Sequence, residues 1–303
     1  MSSPSWARNH HTLAILALVA TTAVWGGTFV VVQDAVEEMP VLPFLAWRFA
    51  LAAVVLGVVR PGAVVRLDPV TRRHGVWLGL LLGSAYILQT FGLLHTSATV
   101  SGFITGMFVV ITPLIGWAAL GQPINPSVWL AVALATLGLG LLSLTGVSVG
   151  LGELLTLGCA ALFAGHIVGL GQWSTSADAY GLTVLQLGVV ALMCLLAAPL
   201  QGGMLWPPDT GVWAAIVFLA IAATALAFLA QTWAQTHLSA PRAAIVLTLE
   251  PVFAGIFGVT FGGDALTGRV LAGGACIVAA MYVVEVGGRT TERSLTRQDA
   301  PGS

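Results

Sequence analysis

Charged residues are scarce in this sequence. Only 8% of its 303 residues are charged, no Lys is present, and 57% are hydrophobic. A soluble domain usually carries about 25% charged residues, so a water-soluble fold could not hide this much apolar surface. The composition excludes a soluble enzyme, a disordered protein and a nucleic-acid binder, and the formal net charge of -1 gives no reason to expect a polyanionic partner. Lipid is the expected solvent.

Cysteines are also few, and they are scattered. Cys159, Cys194 and Cys276 lie in separate apolar runs. Their spacing excludes a disulfide framework and a metal-binding cluster, and no His and acidic residues have metal-ligand spacing. The phosphate-binding pattern Gly-x-x-x-x-Gly-Lys is absent as well. We therefore expect no metal, no cofactor, no catalytic residues and no ATP-driven step.

Long apolar runs are what the sequence has instead. A membrane-spanning helix needs about 20 mostly apolar residues, and short connectors rich in Pro, Gly or Asp separate ten such runs. The runs are 13–33, 41–60, 75–94, 98–120, 128–147, 151–171, 181–200, 211–234, 240–262 and 266–286. They are about twice as long as the strands of a membrane barrel. The sequence therefore predicts an all-α polytopic membrane protein with ten transmembrane helices.

The arginines predict the orientation of these helices. Cytoplasmic loops of membrane proteins carry an excess of Lys and Arg. With the N-terminus inside, nine of the eleven basic residues fall on the cytoplasmic side, and only Arg269 falls on the outer side. We expect a multi-pass protein of a bacterial plasma or inner membrane, with cytoplasmic tails at 1–12 and 287–303.

An internal repeat divides the chain. Residues 85–98 (AYILQTFGLLHTSA) align with residues 227–240 (AFLAQTWAQTHLSA) at six of fourteen positions. Five spans separate the two copies, and five is odd, so the copies must cross the membrane in opposite directions. Inverted repeats of this kind are typical of secondary transporters. We expect two inverted five-helix halves, 13–147 and 151–286.

Several stretches, in this order, carry a family resemblance. They are AVWGGTFVVVQDA (23–35), WRF (47–49), SGFITGMFVVITPL (101–114), ALAFLAQTWAQ (225–235) and LEPVFAG (249–255). Over roughly residues 13–286 the chain resembles the EamA-type ten-helix branch of the drug/metabolite transporter superfamily. The resemblance implies export or uptake of small organic metabolites, amino acids among them, and sometimes drug efflux. Gln33 replaces a Lys common in the family, which makes anion transport less expected.

Two charged residues fall within predicted spans. Glu250 lies about eleven residues into its span, near the bilayer centre, where a charge costs roughly 2.5–3.5 kcal/mol on insertion scales. It could bind solute or carry a proton, or it could be a neutral carboxyl bonded to helix ends opened by Pro251. Arg48 lies near the start of the second span. We expect it to snorkel to the outer headgroups beside Trp47, with a solute anchor as the alternative.

The other candidates are uncharged side chains within spans. Gln89 and Gln231 are equivalent in the repeat, so they could face a central pathway or join neighbouring helices. His166 could bind solute or be a neutral core residue. Aromatic side chains could line a pocket or pack against lipid. The candidate solute-binding residues, besides Glu250, are Trp25, Gln89, Phe103, His166, Gln231 and Trp233.

Prolines and glycines suggest hinge or packing points. Pro113 and Pro251 are expected to interrupt their helices. Gly102 and Gly106 form a Gly-x-x-x-Gly pattern, which is typical of closely packed membrane helices. Gly26 is a further candidate of this kind.

These patterns predict a non-enzymatic secondary transporter, and the resemblance implies that it exports small organic metabolites such as amino acids or drug-like solutes. Its cavity would lie between the first, third and fourth spans and the sixth, eighth and ninth, and the two halves would rock about it. The expected partners are a small-molecule solute and membrane lipid. The sequence does not determine whether the protein forms a homodimer. The alternatives are a channel or receptor without active transport and, less favoured, an intramembrane enzyme.

Overall fold

The computed structural model describes residues 5–121, 126–145, 148–175, 177–238, 243, 246–247 and 249–298, with side chains described from residue 12 to 283 except 142–149. Twelve α-helices have described bounds, and a short 3₁₀-helix (Ala198–Gln201) follows the eighth of them. They are α1 (Ser5–Glu38), α2 (Val41–Val59), α3 (Pro69–Leu93), α4 (Ala98–Thr105), α5 (Phe108–Leu120), α6 (Pro126–Ser143), α7 (Leu151–Trp173), α8 (Ala179–Ala197), α9 (Thr210–Ala220), α10 (Ala227–Gln235), α11 (Leu249–Thr260) and α12 (Gly268–Gln298). A two-residue ladder of β1 (Leu144–Thr145) and β2 (Ser148–Val149) joins α6 to α7.

The helices confirm the predicted all-α membrane architecture. In the described part of the chain, seven helical stretches are long and apolar enough to span a bilayer, and three shorter apolar helices bring the number to ten. The shorter ones are Pro126–Leu141, Leu249–Thr260 and Gly268–Val283. Each of the ten falls on one of the predicted spans.

Side-chain caps fix where several of these helices begin. The Asp68 carboxylate accepts hydrogen bonds from the backbone N–H groups of Val70 and Thr71, and Pro69 occupies the first helical position of α3. The bond from the Thr71 hydroxyl is the main reason why the pKa of Asp68 lies below its usual value. Asp209 caps α9 in the same way. These polar caps make the apolar helices begin directly after short connectors.

Two spans are not continuous α-helices. The fourth is interrupted by a turn at Gly106 and Met107, between α4 and α5. The eighth contains a π-helical segment (Ile221–Leu226) between α9 and α10. The prediction that Pro113 interrupts its helix is wrong, because Pro113 lies inside α5. Membrane helices tolerate proline where neighbouring groups satisfy the freed backbone.

The helices of the two halves pack mainly against each other. The largest contacts join α3 to α7 and α8, α6 to α12, α2 to α8, and α1 to α11. If each span is exchanged for its equivalent in the repeat, the contact between α3 and α7 becomes a contact between α10 and α1. The contact between α1 and α11 becomes a contact of α4 and α5 with α7. Both of these counterpart contacts are present. Each of these two contacts therefore has a counterpart under the exchange of spans.

Small residues allow the closest of these approaches. A Cβ atom on Gly26 of α1 would collide with Phe253 of α11 and lie 2.8 Å from the backbone nitrogen of Ala254. A Cβ on Gly102 would collide with Ala254, and one on Gly106 would lie 2.8 Å from Cγ of Pro251. Contacts of this kind hold membrane helices together by van der Waals packing.

Candidate functional site

A narrow cavity lies at the centre of the bundle, among α1, α2, α3, α5, α7, α10 and α11. Its volume is about 40 Å³, which is room for about three water molecules. Drug-sized ligands usually occupy roughly 300–1,000 Å³, so this conformation is contracted and must widen to hold an organic solute. The lining residues are Trp25, Thr28, Phe29, Val32, Arg48, Tyr86, Gln89, Leu93, Phe108, Phe163, His166, Ile167, Phe228, Gln231, Leu247 and Glu250.

Most of the candidate solute-binding residues reach this cavity. Those that line it are Trp25, Gln89, His166, Gln231 and Glu250. Phe103 does not, because its ring lies against α12, where a Cβ on Gly274 would be 2.6 Å from it. Trp233 also lies outside the lining, with its ring 4.7 Å from that of His237. Both aromatics sit on apolar helices whose sequence does not reveal which face points inward.

Arg48 is buried in the cavity wall, so the expectation that it snorkels to the headgroups is wrong. Its side chain is 1% exposed. Its Nε donates to Oγ1 of Thr224 at 2.8 Å. The guanidinium carbon lies 5.4 Å from the ring centre of Phe49 and 5.0 Å from that of Tyr86. Contact with both aromatic rings stabilises the charge away from water.

The π-helical segment positions two of the cavity residues. Thr224 of this segment accepts the bond from Arg48, and the carbonyl of Ala223 accepts one from Trp25 Nε1 at 2.8 Å. The wider π turn departs from the α-helical register, and such turns are frequent at functional sites. The segment therefore joins α1 and α2 at the cavity through side-chain hydrogen bonds.

Glu250 supplies the acidic group of the cavity. Its side chain is 7% exposed and lies on α11, next to the point where α1 crosses at Gly26. No ion pair links it to Arg48 in the described part of the chain. No group of three or more His, Cys, Asp or Glu residues suited to a metal ion occurs among the described residues. The cavity thus holds one basic and one acidic side chain that do not touch.

The neutral polar residues divide into bonded and unbonded groups. His166 Nε2 lies 2.6 Å from Oε1 of Gln186, and because that oxygen is an acceptor the ring nitrogen donates. Gln89 Nε2 donates to Oγ1 of Thr105 at 3.2 Å. Oε1 of Gln231 is buried and has no hydrogen-bond partner. An unpaired buried acceptor calls for a donor from a solute or water.

Aromatic rings that the sequence candidates did not include complete the wall. The ring of Tyr86 lies 4.9 Å from Phe49, 5.4 Å from Phe163 and 6.0 Å from Phe228. Phe228 in turn lies 5.1 Å from Trp25. A signal was present, because Tyr86 and Phe228 are aligned in the internal repeat. The equivalent pair Gln89 and Gln231 lines the same cavity.

A second cavity, here called the vestibule, adjoins the first. It has a volume of about 370 Å³ and lies between the end of α1 and the α3–α4 turn. Gln33, Glu37, His95 and Thr96 are among its lining residues. Leu93 lines both cavities and is 2% exposed. An apolar side chain therefore separates the vestibule from the charged centre.

Known proteins match this chain over nearly its whole length. The sequence profile of the EamA-like transporter family matches residues 12–144 and 150–286. A protein of Archaeoglobus fulgidus named "Uncharacterized transporter" is 29% identical over 276 residues, which cover 90% of this chain and 86% of the relative. A solved crystal structure of a protein with 20% sequence identity has the same fold, with a TM-score of 0.66, and covers 96% of this chain and 100% of that chain. The chain therefore belongs to the EamA-like transporter family.

Proposed function

We propose that this protein is a secondary transporter that exports small organic solutes through the central cavity by alternating access. The observation that carries the proposal is the placement of Arg48 and Glu250, both buried, on one cavity among apolar helices. Charged groups inside a membrane protein usually mark a substrate or ion pathway. A carrier needs an enclosed site of this kind, whereas a channel needs a continuous pore.

We infer that the halves 13–147 and 151–286 are inverted repeats. The two separate profile matches, 12–144 and 150–286, support this inference. So does the position of the repeat-equivalent residues Gln89 and Gln231 on one cavity. Because the helices pack mainly across the halves, the moving bodies are groups drawn from both, such as α3 with α7 and α8, rather than the halves themselves.

We assign the vestibule to the outer face of a cell membrane. With both termini in the cytoplasm, the end of α1 and the α3–α4 turn lie outside. Leu93 is then the barrier between the outer medium and the central site. In this assignment the contracted cavity represents a conformation with a partly formed outer pathway, and widening at Leu93 opens it.

Counterflow in liposomes tests the proposed function. Purified protein is reconstituted, the liposomes are preloaded with an unlabelled amino-acid mixture, and entry of the labelled mixture is followed. A carrier is expected to show saturable uptake that internal solute accelerates. Linear, non-saturable entry would instead identify a channel, and chemical change of the label would identify an enzyme. Uptake no faster than in protein-free liposomes, with this mixture and with drug-like cations, would contradict transport.

Cysteine labelling tests the orientation. In a Cys276→Ala background, Glu38→Cys is expected to react with a membrane-impermeant maleimide on intact cells, because this exposed position lies outside. Arg66→Cys, also exposed in the structure, is expected to react only after permeabilisation. The native Cys159 and Cys194 are buried and provide the unreactive background. The reverse labelling pattern would invert the assigned topology.

A further inference from the structure

We propose that the connector between α2 and α3 binds the headgroups of anionic phospholipids. The binding surface, here called the arginine patch, is formed by Arg60, Arg66, Arg72 and Arg73. All four residues are exposed in the structure. The patch lies outside the central cavity, so the proposal depends neither on transport nor on the identity of the solute.

The connector is folded into a turn that brings its arginines together. The guanidinium of Arg72 donates from Nε to the carbonyl of Leu67 at 2.8 Å and from Nη2 to that of Val65 at 2.9 Å. The backbone N–H of Arg66 donates to the carbonyl of Gly62 at 3.2 Å. Because Val65 and Arg66 share a peptide bond, the guanidinium of Arg72 lies beside the backbone that carries Arg66. Residues six positions apart in the sequence thus share one surface.

The turn is held against the start of α8. The ring centre of Tyr180 lies 5.5 Å from the guanidinium carbon of Arg60, and the Tyr180 hydroxyl donates to the carbonyl of Leu56 at 2.7 Å. A Cβ on Gly181 would lie 2.7 Å from the carbonyl oxygen of Ala63. These contacts fix the backbone that carries the arginines. A surface that is already ordered loses less conformational freedom when it binds a ligand.

The positive charge of the patch has no carboxylate partner. Asp68 accepts hydrogen bonds from the backbone N–H groups of Val70 and Thr71, at the start of α3. Asp178, just before α8, accepts one from the Thr175 hydroxyl at 2.6 Å. In the part of the chain that the structure describes, neither carboxylate forms an ion pair with the four arginines. The partner that this surface lacks is therefore an anion from outside the chain.

Exposed apolar side chains beside the patch favour a phospholipid over a soluble anion. Arg73 and Trp77 lie four residues apart on α3, so they share one face of the helix. Trp77 is 56% exposed, and tryptophan is typical of the interface between membrane and water. Exposed valines before, within and after the turn are Val58, Val59, Val65, Val70 and Val76. A phospholipid pairs with the arginines and also covers these apolar side chains, whereas a soluble anion uses the arginines alone.

Quenching of tryptophan fluorescence by brominated phospholipids tests the proposal, because bromine quenches only nearby rings. The purified full-length protein is reconstituted in phosphatidylcholine vesicles that contain increasing fractions of brominated phosphatidylglycerol. A parallel series contains brominated phosphatidylcholine with the same acyl chains. The signal of Trp77 is the difference between the protein and its Trp77→Phe variant. Both leaflets have the same composition, so the result does not depend on the orientation of the protein.

The signal of Trp77 is expected to be half-quenched at a mole fraction of phosphatidylglycerol that is about tenfold or more below that of phosphatidylcholine. Each Arg near a membrane surface strengthens the binding of anionic lipid about fivefold. The preference should decrease at about 1 M salt, where screening acts within about 3 Å. Equal half-quenching fractions for the two lipids would overturn the proposal. Displacement of phosphatidylglycerol by millimolar inorganic phosphate would identify a soluble-anion site and overturn it as well.

Variants locate the preference on the patch. Arg66→Gln combined with Arg73→Gln is expected to lower the preference for phosphatidylglycerol about fivefold or more. Arg72 is left unchanged because it shapes the turn. The matched control combines Arg289→Gln with Arg293→Gln, which removes the same charge from the C-terminal tail and should keep the preference. Equal unfolding temperatures in detergent without phosphatidylglycerol would show that both variants are folded. An equal loss of preference in the two variants would assign it to net charge and contradict a site on the patch.

Discussion

Replacing Glu250 with Gln should abolish proton-driven uptake of solute while leaving the exchange of solute for solute. Glu250 carries the carboxyl group of the described cavity lining. The Gln side chain has nearly the same size as Glu and keeps an acceptor oxygen, but its amide cannot release a proton. In liposomes whose interior is more acidic by about one pH unit and whose membrane potential is clamped at zero, one-for-one exchange can concentrate solute about tenfold, because this gradient is worth about 1.4 kcal/mol. The Glu250→Gln variant should show no accumulation, with the internal solute concentration close to the external one.

Competition for one carboxylate gives this coupling a physical basis. A proton and a solute that both bind at Glu250 exclude each other, so each crossing in one direction requires the other in return. Exchange of solute for solute involves no net proton movement, so it should persist in Glu250→Gln at saturating solute. Glu38→Gln, altered at an exposed carboxylate at the end of α1, should keep the full gradient response. An unchanged tenfold accumulation in a folded Glu250→Gln protein would rule out the coupling.

Most of the fold could be predicted because its signals are local or repeated. Hydropathy marks the ten spans, since lipid requires long apolar helices regardless of how they pack. The alignment of residues 85–98 with 227–240 brought the repeat-equivalent pairs to attention, and the division of the chain that it indicates stays a prediction. The interruptions of the fourth and eighth spans were not predictable in the same way. The π-helical segment reads IAATAL, an ordinary apolar stretch.

The cavity residues were predicted only in part. The sequence indicates how deep a residue lies in the membrane, but it does not indicate how its helix is rotated about its own axis. Glu250 is polar at a central position of its span, so it had to face protein. Arg48 lies close enough to the helix start for its long side chain to point either way, and its partner Thr224 is 176 residues distant along the chain. Phe103 belongs to a span that is apolar nearly all round, so no polar face indicated which way its ring points.

Substituting Gly26 with Ala should reduce both the stability and the transport rate of the protein. The added Cβ would collide with Phe253, lie 2.8 Å from the backbone nitrogen of Ala254, and lie 2.9 Å from the carbonyl oxygen of Glu250. Carbon contacts are most favourable at about 3.5–4.0 Å, so α11 must move away from α1. Overpacking of this kind costs about 1–3 kcal/mol, which should lower the unfolding temperature in detergent.

The neighbouring glycine provides the matched control. A Cβ on Gly27 would lie 3.5 Å from the ring of Phe257, an ordinary van der Waals contact. Gly27→Ala adds the same methyl group to the same helix, and both variants share the same helix propensity change. The difference between them in unfolding temperature and in counterflow rate therefore reports the α1–α11 contact alone. Because α11 carries Glu250, its displacement should also weaken solute binding, whereas equal behaviour of the two variants would show that this contact does not position the site.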